Sequence, residues 1–82
     1  MKLYLISQDQ NNEYETFDSA VVAAPDEETA RNMDPANGNP VKEWDDRYSS
    51  WCNGQDKVIV RYLGEAVDGV EKGVVCASFN AG

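Results

Sequence analysis

The segments of this chain that alternate like β-strands are apolar at both their odd and their even positions, and this decides what the rest of the chain must supply. Lys2–Ser7 sets Leu3 and Leu5 against Tyr4 and Ile6, and residues 18–24 set Ala20 and Val22 against Val21 and Ala23. Further on, Val58, Val60 and Tyr62 alternate with Ile59, Arg61 and Leu63. After a turn region rich in Gly and Asp comes the run Val74, Val75, Cys76, Ala77, Ser78 and Phe79. A sheet of such strands leaves no polar face for water, so both of its sides need a cover.

Little helix is available for that purpose. Asp26 is placed to cap orphan backbone N–H groups, with Glu27 and Glu28 suited to the positive end of the helix dipole, and Ala30 and Met33 form the buried stripe. Pro35 disfavours helical geometry at Asp34, which limits the helix to about two to three turns. The polar stretch between the first two strands reads as the tip of a hairpin, and the last two strands read as a second hairpin. The expected fold is α+β in the order β-β-α-β-β, a mostly antiparallel four-stranded sheet with one short helix on one face.

The remaining cover should come from the connection spanning residues 34–56, which exceeds the ~12–15 residues usual for a structureless loop. It contains both tryptophans, Trp44 and Trp51, with Tyr48 between them at spacings that a short helical turn would align. The segment is expected to lie across the second sheet face, unless another copy of the chain covers it as a homodimer. Trp44, Tyr48 and Trp51 then either complete the core or form a recognition patch with Asp45, Asp46 and Arg47.

At 82 residues, with a 41% apolar fraction, there is room for one domain, residues 1–82, and a thin core. The net charge of −8 disfavours direct binding to nucleic acid or anionic lipid, because such binding depends on Lys and Arg neutralising phosphates. Partners should be basic, or small and neutral. No membrane span and no leader is legible, so the expected location is the cytoplasm, with Cys52 and Cys76 reduced. Cys76 reads as core and Cys52 as loop.

The absence of histidine removes the commonest general base and most transition-metal sites. Asp9, Asn11 and Glu13 begin like a calcium loop, but Tyr14 stands where Gly is needed and Ala20 where a bidentate carboxylate is needed. No enzyme, cofactor or metal is expected. The hairpin tip, with Asn11, Asn12 and Tyr14, and the tail with Asn80 form an alternative site for a neutral polar ligand.

Taken together, the opening MKLYLISQDQNN, the block YETFDSAVVAAPDEETAR and the ending VVCASFNAG resemble a type of small phage- and prophage-encoded protein. That type includes anti-CRISPR and other anti-defence proteins. The resemblance implies a non-enzymatic inhibitor of a bacterial defence system that occupies a basic surface of a host protein or protein–nucleic acid complex. The alternative is a small-molecule sponge that sequesters a nucleotide-like immune signal as a homo-oligomer. The resemblance assigns no residue a role.

Overall fold

The computed structural model describes residues 1–11, 15–42, 44 and 50–80. In chain order these form β1 (Lys2–Ser7), β2 (Thr16–Ala24), the helix α1 (Glu27–Arg31), a 3-10 turn (Gln55–Lys57), β3 (Ile59–Glu65) and β4 (Gly73–Asn80). The strands pair antiparallel in one four-stranded sheet of order β3-β1-β2-β4, an α+β arrangement.

β1 and β2 form the expected hairpin, with Leu5 opposite Val21 and Ile6 opposite Ala20. The last two strands do not form a second one. β3 takes the free edge of β1 and β4 the free edge of β2, which places them on opposite sides of the sheet. Crossing three strand spacings requires about 14 Å, and residues 66–72 can span up to about 23 Å when extended. The turn residues in that stretch therefore mark a crossover along the end of the sheet.

α1 is shorter than expected, at five residues. The Asp26 carboxylate accepts from the Thr29 N–H at 2.8 Å, so the helix starts where the capping signal placed it. It stops early because the following residues bond among themselves. Met33 bridges to Pro40, the Asp34 N–H donates to the Asn39 carbonyl at 2.7 Å, and the Gly38 N–H donates to the Asp34 carbonyl at 2.7 Å. Gly38 makes this loop possible, since its φ is 78° and a Cβ there would lie 3.3 Å from the Gly73 Cα.

The core lies on one side of the sheet. Tyr4 and Ile6 of β1 and Ala20, Val22 and Ala24 of β2 pack against Ala30, Met33, Trp51, Cys52 and Val58. Alanines at the sheet–helix contact let the backbones approach closely, as a thin core requires. The described part of the long connection joins this same core, with Trp51 and Cys52 buried and Val41 and Trp44 packed at its margin. The described residues of the connection thus lie on the helix side, while residues 43 and 45–49, on which the expected crossing of the second face also rests, lie outside the described residues. With only five helical residues above it, the helix-side face itself needed the tryptophan, and on the opposite face Ile59 stays exposed. The two cysteines also exchange roles: Cys52 is core and Cys76, on an outer strand, is exposed.

Candidate functional site

The hairpin tip is built around one buried amide. Gln8, 5% exposed, donates through Nε2 to the Asn11 carbonyl at 2.7 Å and to the Phe17 carbonyl at 2.9 Å. Its Oε1 accepts from the backbone N–H groups of Gln10 and Asn11. A buried side-chain amide with donors and acceptors both engaged is a structural device.

The tip in turn holds the connection. β1 ends at Ser7, so the Phe17 N–H has no β1 partner and donates instead to the Ser50 carbonyl at 2.8 Å. Asn11 Nδ2 donates to the Trp51 carbonyl at 3.1 Å, and Gln10 Oε1 accepts from the Asn53 N–H at 2.9 Å. These bonds seat Trp51 over the core. The Asn11 amide that sequence reading offered to a ligand is used here to position the chain.

Of the predicted recognition patch, Trp51 is 3% exposed and gives a partner no surface to grip. Trp44 is half-buried against the core. Asp45, Asp46, Arg47 and Tyr48 lie outside the described residues, as do Asn12 and Tyr14 of the alternative site. Asn80 sits at the end of β4, opposite Thr16, and its carbonyl accepts from the Glu15 N–H.

Among the described residues no group of three or more His, Cys, Asp or Glu side chains is placed to hold a metal. Burial pushes the Cys52 thiol up from its usual range, although its Sγ donates weakly to the Gly54 carbonyl at 3.4 Å. A depression lined by Thr29, Met33, Gly38, Pro40 and Lys72 holds about 20 Å³. That is room for roughly one water molecule, far below the several hundred Å³ of a small-molecule site.

The described residues also present surface of two kinds. One is acidic: Asp26, Glu27 and Glu28 are all exposed at the start of α1. Ion pairs such as Arg31–Glu27 at 3.6 Å and Lys57–Asp56 at 3.9 Å are solvent-exposed and leave the acidic excess standing.

The other is the open sheet face, which the register lays out in rows. Arg61, Leu5, Val21 and Cys76 form one row; Ile59, Ser7, Ser19 and Ser78 lie on one side of it, and Gly64, Leu3, Ala23 and Gly73 on the other, where Ala23 is fully buried, so that the openness is greatest toward the Ile59 end. Ile59 is 55% exposed. Sequence reading identified that a second face needed a cover, from the connection or from another copy of the chain. The signal was the two-sided alternation itself.

No helix among the described residues is long and apolar enough to cross a membrane. No protein-family model matches the chain, and comparison with curated proteins and with solved structures likewise finds no match.

Proposed function

We propose that the chain acts by binding, as a phage-encoded, non-enzymatic inhibitor of a bacterial defence system that occupies a basic surface of a host protein or protein–nucleic acid complex in the bacterial cytoplasm. The observation that supports this most is the exposed acidic run Asp26, Glu27 and Glu28, fixed by its cap on a chain of net charge −8. Arg and Lys side chains arranged to receive phosphates accept carboxylates in the same geometry. Trp51, as part of the core, serves the reading by holding the connection in place. Asp45 and Asp46, next to Trp44 in the sequence and outside the described residues, are the second acidic stretch that this reading assigns to contact with the partner. The sponge reading is weaker, since Gln8, Gln10 and Asn11 already bond within the fold.

The test is capture of partners by the full chain from bacterial lysate, followed by titration of the captured partner against two variants. Glu27→Gln with Glu28→Gln, and Asp45→Asn with Asp46→Asn, should each weaken binding several-fold and flatten its salt dependence, as expected when exposed charges steer association. Binding that ignores both salt and these neutralisations would sink the basic-surface reading. A nucleotide-like compound that raises Tm in a concentration-dependent way would put the sponge in its place.

A further inference from the structure

We infer that the open sheet face is a self-association surface, covered by the same face of a second copy of this chain. The reading goes beyond the proposal above and is independent of what the acidic surface binds. Its first support is the charge map. The chain carries 15 acidic residues, yet the rows of this face contain no carboxylate, and Arg61 is their one charged side chain. Two copies at −8 repel each other over most of their surface. A face whose paired rows carry no carboxylate is where they can meet without bringing carboxylates together, and a basic partner would be drawn to the acidic surfaces instead.

The second support is self-complementarity. A two-fold axis lying between the sheets and parallel to the strands sets β3 of one copy over β4 of the other. Leu5 then packs on Val21 of the second copy, the serine rows meet each other, and Arg61 lies over the Cys76 edge. A two-fold across the strands would stack Arg61 on Arg61, so the first arrangement is favoured. Four strands about 4.8 Å apart and six residues long at about 3.3 Å give a footprint of roughly 19 by 20 Å per copy. Two such faces total roughly 760 Å², below the ~1,200 Å² lower end of standard interfaces and in the range of weak ones. The dimer should therefore dissociate on dilution through the micromolar range.

The native chain carries its own reporter. Cys76 is exposed on this face and Cys52 is buried in the core, so a thiol reagent applied to the folded protein reads Cys76. At concentrations up to about 100 µM, a hundredfold above a micromolar Kd, sedimentation equilibrium should approach twice 9.1 kDa. The Cys76 modification rate should fall several-fold over the same range. Ile59→Asp and Cys76→Asp, at side chains already exposed, should keep the native circular dichroism and sediment as monomers. A native chain that stays monomeric, with a Cys76 rate independent of concentration, overturns the inference and leaves the face to a different partner. A dimer that persists in both variants overturns it as well and assigns the contact to a strand edge.

Discussion

One sheet in this molecule serves two different environments. On the helix side, Tyr4, Ile6, Ala20 and Val22 are nearly sealed by α1 and by Trp51 and Cys52. On the other side, the same strands present Leu3, Leu5 and Val21 half-buried and Ile59 exposed. Apolar content barely distinguishes the two faces; what separates them is how much cover the chain can place on each. A five-residue helix and a connection of limited reach suffice for the central strands of one face, while Tyr62 and Ala77 on its outer strands stay exposed. The difference teaches that in a domain this small apolar patterning specifies demand for burial, while chain length limits how much of it a monomer can meet.

The comparison can be broken with matched residues. Ile6 and Ile59 carry the same side chain on opposite faces of the sheet. Ile6→Ala should cost about 2–5 kcal/mol, a large share of the roughly 4–12 kcal/mol expected of a domain this size. Ile59→Ala should stay within about 0.5 kcal/mol. Urea unfolding at high dilution, where self-association is removed, checks both, and equal costs would mean that the second face is sealed in the monomer.

A smaller effect sharpens the account of how the covered side stays covered. Gln8→Ala removes the amide that ties together the tip from which Asn11 and Gln10 hold Trp51 and Asn53. The loss should be about 1–3 kcal/mol, the desolvation cost of the groups left without partners. It should appear as increased hydrogen exchange at the tip and at residues 50–53, with β3 and β4 protected as before.

The smallest effect is a pH dependence. Burial raises the Cys52 thiol pKa in the folded chain, so the native state holds that proton more tightly than the unfolded state does. The contribution is fully present below the unfolded thiol value near 8.5 and is lost as pH rises through the folded value. Tm should therefore decline at alkaline pH, and Cys52→Ala should remove that part of the decline. An unchanged alkaline profile in the variant would show that Cys52 titrates as it does unfolded.

Much of the fold was legible wherever one residue type has one physical use. Asp26 as cap and the first hairpin follow from local chemistry, whereas the helix ends before the limit that Pro35 set for it. The α+β class follows from the strand alternation. Strand order was hidden, because a Gly- and Asp-rich stretch serves a tight turn and a crossover equally well. The cysteines were misread for a related reason: lying within a strand does not determine which face Cys76 occupies, and lying in a loop does not keep Cys52 out of the core. The amides of Gln8, Gln10 and Asn11 looked like ligand groups because nothing in the sequence shows that residues 50–53 come to meet them.

The order β3-β1-β2-β4 also bears on how the chain is made. β1 and β2 are synthesised first and become the centre of the sheet, but Lys2 pairs with Glu65 and Thr16 with Asn80. While the nascent chain ends anywhere before β3, both long edges of the central hairpin stand unpaired. They are closed one after the other only when the last third of the chain has emerged. Such distant pairings place the domain among slower folders for its size. Through that interval the hairpin exposes two strand templates to other chains, so the pairing that completes the sheet is also what withdraws it from aggregation.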